Sequence, residues 1–299
     1  MDYNTVIIGS GVAGMTAAIY LARANASVCI LERDVPGGQI TRTSNIDNYP
    51  GFKSIEGSEL AINIYNQVTN LNIPYFYTEG LEIIDNEDTK IVKTKDKEIT
   101  CKNIVIATGR SPRKLNVSNE EKLIGRGISY CAVCDGGLYK NKNVAVIGGG
   151  MAALEETLYL SKICNNVTLI HRRDGFRANY DLIEDVKSTE NVTILTDKIV
   201  EEFKEIDNKL TGIVLRNKNN DLEEIKVDGC FEYIGQIPNT KNFENLNILD
   251  EQGYIKVDQN YETSIKNIYA IGDCIKKDLY QIITACNDGA VVANRIAKM

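Results

Sequence analysis

Cys131-Ala132-Val133-Cys134 stands between two glycine-rich loops, Gly9-Ser10-Gly11-Val12-Ala13-Gly14 upstream and Gly148-Gly149-Gly150-Met151-Ala152-Ala153 downstream. A C-x-x-C pair can store two electrons by opening a disulfide to a dithiol. A loop of the form G-x-G-x-x-G/A, set between a strand and a helix, lets backbone approach a pyrophosphate. The helix N-terminus adds free N–H groups and a partial positive charge. The order of the three suggests a relay, with electrons entering from one nucleotide, resting on another and leaving through sulfur.

The residue that ends the second strand of such a unit selects the nucleotide. In the first copy it is Glu32, a carboxylate that accepts from ribose hydroxyls and repels a 2′-phosphate, as suits FAD or NAD. In the second copy the position holds His171-Arg172-Arg173, with Arg177 close behind. Guanidinium forks bind phosphate oxygens, so this site favours NADPH over NADH.

A free thiol has a pKa near ~8.5, so only about 3% is thiolate at pH 7. The dithiol therefore needs an acid/base partner. The one histidine is accounted for at the phosphate, which leaves Asp135, next to Cys134, as the proton carrier. The other six cysteines lie in apolar contexts and read as small core residues. One C-x-x-C and one His do not make a zinc site, so no metal is expected.

The elements that must position these groups read as one plan written twice. Strand Val6-Ile7-Ile8 runs into the first loop, and Met15, Ala18, Ile19 and Ala22 mark a helix face. Val28–Leu31 follows, then a meander between Pro74 and Cys101, then a buried strand Ile104–Ala107 stopped by Gly109. The second copy has Val144–Ile147, a helix with Leu154 and Leu158, Val167–Ile170, a meander over 192–227, and Cys230–Gly235. A third glycine-ended strand, Ile268–Ile271 before Gly272-Asp273, has no partner in the second copy and returns to the first. The fold class is α/β, with two Rossmann-like (three-layer ββα) nucleotide-binding domains, the second inserted into the first. Linkers fall near Pro112–Val117 and Pro238–Asn242, giving domains 1–113 with 241–299, and 114–240. Two crossings would let the domains rotate against each other.

The 299 residues suit two domains. A net charge of −7 with no basic stripe argues against nucleic acid. No apolar run reaches the ~20 residues of a membrane helix, and the chain runs straight into a strand without a charged-then-apolar leader. A cytoplasmic protein is expected.

As an ordered set, these motifs resemble the low-molecular-weight thioredoxin reductases, class II pyridine nucleotide-disulfide oxidoreductases. The likeness also takes in Gly37-Gly38-Gln39, Asn48-Tyr49-Pro50-Gly51, Ala107-Thr108-Gly109, Glu155-Glu156, Asp174–Ala178 and Gly272-Asp273. It implies FAD in the outer domain, held by Gly9, Gly11, Gly14, Glu32, Gly38, Gln39, Asn48, Thr108, Gly109, Asp273 and Gln281. It implies NADPH in the inserted domain, held by Gly148, Gly150, Ala153, Glu156, His171, Arg172, Arg173 and Arg177. It further implies a homodimer, and a cycle in which NADPH reduces FAD, FAD reduces the Cys131–Cys134 disulfide, and the dithiol reduces thioredoxin or a thioredoxin-like protein. The resemblance also implies that Cys134 faces the flavin and that Cys131 attacks the partner. An FAD-dependent dithiol oxidase, or a reductase with another donor such as ferredoxin, are the alternatives, and the intact glycine loop and Arg172-Arg173 count against both.

The chain departs from the family at three places. Tyr280-Gln281-Ile282 stands where Arg-Gln-Ala is usual near the flavin. Cys286-Asn287-Asp288-Gly289 replaces a small-residue turn, with Asn287 expected to serve as glycine does. Val133 replaces Thr.

Overall fold

The computed structural model describes residues 1–43 and 46–299. The chain begins with β1 (Tyr3–Ile8), α1 (Val12–Arg23) and β2 (Val28–Glu32). After α2 (Gly57–Asn70) come β3 (Tyr75–Tyr77) and the meander β4 (Glu82–Asn86), β5 (Thr89–Lys93) and β6 (Glu98–Ile106). Next are β7 (Arg110–Pro112), α3 (Glu120–Leu123), β8 (Ile128–Ser129) and α4 (Ala132–Asp135). The second glycine loop joins β9 (Asn143–Gly148) to α5 (Met151–Ser161), followed by β10 (Asn166–Ile170), α6 (Tyr180–Ser188) and β11 (Val192–Leu195). A second meander, β12 (Ile199–Ile206), β13 (Lys209–Arg216) and β14 (Leu222–Lys226), leads to β15 (Gly229–Tyr233). The chain closes with β16 (Gln236–Pro238), β17 (Ile268–Ala270) and α7 (Ile282–Ala297).

These elements form two compact units. The first takes Met1–Arg42, Ile46–Ser111 and Ile237–Met299, and the second takes Pro112–Gln236. The two crossings, β7 and β16, pair with each other as a ribbon.

In the first unit β3, β2, β1 and β6 run parallel, and β17 adds to the carboxyl half of β6 through Ile268↔Ile104 and Ala270↔Ile106. The third glycine-ended strand thus does return to the first copy's sheet. Alternation along β1 feeds two cores. Ile7 joins Met15, Leu21, Ile30, Val105 and Val292 on the helix face. Val6 and Ile8 join Leu31, Ile104, Ile106 and Phe243 on the opposite face, which the meander covers. Burial on both faces explains why the central strands carry continuous apolar runs, Val6–Ile8, Val28–Leu31 and Ile104–Ile106.

The second unit repeats the plan with the parallel order β11-β10-β9-β15-β8. Val144 and Val146 face α5 with Leu154, Leu160 and Phe231. Ala145 and Ile147 face the meander with Phe203, Leu215 and Cys230. Five of the six remaining cysteines are buried and Cys286 is half-buried, as small core residues should be. Among the described residues no helix is long and apolar enough to cross a membrane.

Cys286–Gly289 corrects one expectation. It is the interior of α7 rather than a turn, and Asn287 is not left-handed. The small residue answers to packing instead: a Cβ on Gly289 would collide with the Ala13 carbonyl oxygen of α1.

Buried charge inside the second unit gives a pH-dependent prediction. Glu232 on β15 is 2% exposed. Burial, and then the neighbouring Glu120, push its carboxyl up to about 9. The folded protein keeps this proton at neutral pH, whereas the unfolded chain releases it near 4.5. Stability from this group is complete at acid pH and is lost as pH rises from the unfolded towards the folded value. Gln at position 232 mimics the protonated form. Glu232→Gln is therefore expected to stabilise by about 2 kcal/mol at about pH 8 and hardly at all near pH 4.5. Thermal melts at the two pH values check this, and a variant that melts lower at the higher pH would show that the fold needs the carboxylate.

Candidate active site

The dithiol is a disulfide, Cys131–Cys134, across the start of α4. Cys131 caps this turn, and the Cys134 N–H donates to Cys131 Sγ at 3.2 Å. That donor favours the thiolate on Cys131 once the bond opens. Both cysteines are half-buried. Asp135, at 9% exposure, accepts from Ser129 Oγ at 2.6 Å, and the same hydroxyl accepts from the Cys131 N–H at 3.1 Å. Ser129 thereby links the carboxylate to the Cys131 backbone, a link the sequence reading missed. The Ala132 N–H donates to Tyr233 Oη at 2.6 Å, which ties the C-x-x-C turn to the end of β15.

In the first unit the glycine loop divides its tasks by position. Gly9 has φ +105°, and a Cβ there would strike the Ala107 carbonyl oxygen. A Cβ on Gly14 would strike the Gly9 carbonyl oxygen. Gly11, which caps α1, faces open space instead. Two glycines thus seal the turn and one leaves room for a ligand, with the first N–H groups of a 12-residue helix behind it. No side chain caps those groups. This is the cradle a dinucleotide pyrophosphate fits.

Several of the other candidates are bonded to the cradle or to one another. Glu32 Oε2 accepts from the N–H of Ser10 at 2.7 Å and its hydroxyl at 2.9 Å, which fixes the carboxylate at the end of β2. Gly37 bridges to Gly11, and Gly38 follows at φ +59°. Gln39 Nε2 donates to the Arg110 carbonyl oxygen. Beyond the end of β6, the Thr108 and Gly109 carbonyls accept from Asn239 Nδ2 at 3.0 Å and its N–H at 2.9 Å. Asn48 Nδ2 donates to Gln281 Oε1 at 3.0 Å, and Gln281 caps α7. Asp273 pairs with Arg110 Nε at 3.3 Å, and burial raises its carboxyl against the pull of that cation. Sequence reasoning missed Asp288, 2% exposed, which accepts from Tyr261 Oη at 2.9 Å, the Gly272 N–H at 3.0 Å and Lys277 Nζ. It pins the turn that carries Asp273.

The second unit uses the same division. A Cβ on Gly148 would lie 2.6 Å from the Tyr233 carbonyl oxygen and 2.7 Å from Ala153 Cβ, while Gly150, the cap of α5, faces open space. Glu156 Oε2, one turn into α5, is buried without a hydrogen-bond partner, and burial pushes the carboxyl up to about 7. An orphaned acid beside an open glycine loop fits a ligand that brings its own polar group. His171 is 6% exposed, and its ring occupies the space a Cβ on Gly149 would need. It stacks on Phe176 at 5.4 Å, and burial holds its pKa below the ordinary value. The Arg177 N–H donates to the Gly149 carbonyl at 2.7 Å. His171 therefore keys its segment to the glycine loop as a neutral ring, while Arg172, Arg173 and Arg177 remain exposed.

Residues 3–289 match the family model described as pyridine nucleotide-disulphide oxidoreductase. The chain belongs to this family. It is similar to thioredoxin reductase of Bacillus subtilis, 42% identical over 98% of this chain and 93% of that one. Thioredoxin reductase of Listeria monocytogenes is 41% identical over 99% of this chain and 93% of that one. The crystal structure of thioredoxin reductase from Streptococcus pyogenes superposes with a TM-score of 0.91 at 41% identity, covering 98% of this chain and 96% of that one. The α/β family fold with its two Rossmann-like sheets is thus the fold of this chain.

Proposed function

We propose that the protein is a thioredoxin-disulfide reductase that passes electrons from NADPH to FAD, from FAD to the Cys131–Cys134 disulfide, and from that dithiol to thioredoxin or a thioredoxin-like protein. One observation carries the reading. A redox disulfide shares a chain with two cradles of one design, one edged by Glu32 and the other by Arg172, Arg173 and Arg177.

FAD, when bound, supplies a two-electron carrier between a hydride donor and a disulfide. The outer domain, 1–113 with 241–299, would hold it through Gly9, Gly11, Gly14, Glu32, Gly38, Gln39, Asn48, Thr108, Gly109, Asp273 and Gln281. Domain 114–240 would hold NADPH through Gly148, Gly150, Ala153, Glu156 and the three arginines, with His171 setting the arginine segment. The working form is taken to be a cytoplasmic homodimer, as the resemblance implies.

Opening the disulfide takes two electrons and two protons and yields two thiols. Cys131, deprotonated under the Cys134 N–H, attacks one sulfur of the partner's disulfide and expels the other as thiolate. Cys134 then attacks Cys131 in the mixed disulfide. The partner leaves with both sulfurs reduced, and the Cys131–Cys134 bond is restored. Asp135, fixed by Ser129, is the group that delivers and recovers the proton.

An anaerobic titration of the flavin-loaded protein tests the donor side. NADPH is expected to bleach the flavin at near-stoichiometric amounts, with NADH far slower. A flavin that NADPH leaves oxidised, but that a reduced ferredoxin or a dithiol bleaches, would replace this reading with one of its alternatives.

A further inference from the structure

The first unit's strand order gives the two ends of its cleft different identities. Across the parallel sheet run β2, β1, β6 and β17, and a dinucleotide lies over the carboxyl ends of such strands. Glu32, at the end of β2, marks the adenosine ribose, and Gly11, after β1, marks the pyrophosphate. The remaining half of the ligand would then extend past the ends of β6 and β17, towards Arg110 and Asp273.

Arg110 is built into that end rather than splayed from it. Its side chain is 19% exposed. Its guanidinium carbon lies 3.6 Å from the centre of the Tyr280 ring, and its Nε lies 3.3 Å from Asp273 Oδ2. Its carbonyl accepts from Gln39, whose neighbour Gly38 abuts Gly11. Tyr280 is itself held, since its hydroxyl accepts from the Lys277 N–H at 3.3 Å and its ring leans on Tyr254 at 6.4 Å. Position 280 is also where the sequence departs from its family. The cation missing there comes instead from Arg110 on β7 and lies on the face of the residue that took its place.

We infer that Arg110, seated on Tyr280 and paired with Asp273, is a positioning residue that fixes a positive charge beside the flavin end of the cleft and thereby raises the flavin's reduction potential. The inference rests on the reading of this cleft as the FAD site. Two-electron reduction adds negative charge to the isoalloxazine, so a fixed cation nearby favours the reduced form. Burial keeps water from screening that charge away. Without Arg110, Asp273 loses its larger cationic influence and keeps only that of Lys277, which weakens the positive field at this end of the cleft. A planar guanidinium stacked on an aromatic face is also held more firmly than an ammonium would be.

The test is the flavin midpoint potential of the holoenzyme, measured by anaerobic equilibration with a reference dye. Arg110→Met is expected to shift the flavin equilibrium at least tenfold towards the oxidised form, which is ~30 mV for a two-electron couple. The double variant Arg110→Met/Tyr280→Arg returns a cation from the other side and is expected to recover most of the shift. A flavin-loaded Arg110→Met with an unchanged potential would overturn the inference and leave the FAD site standing. Should Arg110→Met fail to retain flavin, the double variant decides, since regained flavin and potential support the role and continued loss overturns it. A wild-type protein that binds no FAD after reconstitution would overturn both.

Discussion

Cys131→Ser is expected to reduce turnover with thioredoxin by at least ~1,000-fold, while NADPH still bleaches the flavin. The size follows from chemistry, because a hydroxyl neither attacks a disulfide nor closes one with Cys134, and loss of a covalent nucleophile is among the largest single-residue effects. Survival of the donor half follows from placement, since neither cradle uses Cys131 and its backbone links to Ser129 are unchanged by the substitution.

Cys134→Ser should be equally slow in turnover yet distinct in what accumulates. Cys131 would still attack the partner under the N–H of residue 134, but nothing would resolve the product. A stable mixed disulfide of the two proteins is expected by mass spectrometry from Cys134→Ser and not from Cys131→Ser. The reverse pattern would exchange the roles of the two sulfurs. Full turnover by Cys131→Ser would sink the reductase reading altogether.

The plan of these sites was legible because it is local. A strand, a glycine turn and a helix follow one another within about twenty residues; the constraint on Gly14 comes from Gly9 in the same loop, and those on Gly9 and Gly148 from Ala107 and Tyr233 at the end of the neighbouring strand of the same unit. Ile268–Ala270 was readable as a returning strand because its sequence ends as β6 and β15 do and leaves no other sheet to join. The long-range partners were not readable. Nothing in a run of letters pairs Arg110 with Tyr280 or Asp288 with Gly272 and Tyr261, since sequence gives residue type but not direction. Asn287 shows the same limit in reverse. A small polar residue near a glycine suits a turn, and only the approach of α7 to Ala13 shows that the glycine serves helix packing. His171 reads from sequence as part of a cationic run, yet its ring is buried against Gly149 and is neutral, whereas the arginines that follow point to solvent.

That contrast yields the prediction for the second cleft. Arg172→Ala combined with Arg173→Ala is expected to raise KM for NADPH about 100-fold, with kcat changed little and KM for NADH within about threefold. Each charge-assisted contact to a phosphate contributes about 1.5–3 kcal/mol, and a factor of ten needs about 1.4 kcal/mol. The arginines are exposed, so the lower end of that range applies and added salt should shrink the preference further. The effect belongs in KM because the 2′-phosphate is remote from the reacting carbon and is bound equally in ground and transition states. His171→Ala should behave differently. It removes the ring that fills the space beside Gly149 and loosens the segment joined to the glycine loop by Arg177, so NADPH and NADH should weaken together. Steady-state kinetics with both coenzymes separate the cases. Equal losses for the two coenzymes in the double-arginine variant would mean that the cluster shapes the loop without reading the phosphate, and the preference for NADPH would then have to originate elsewhere in the second unit.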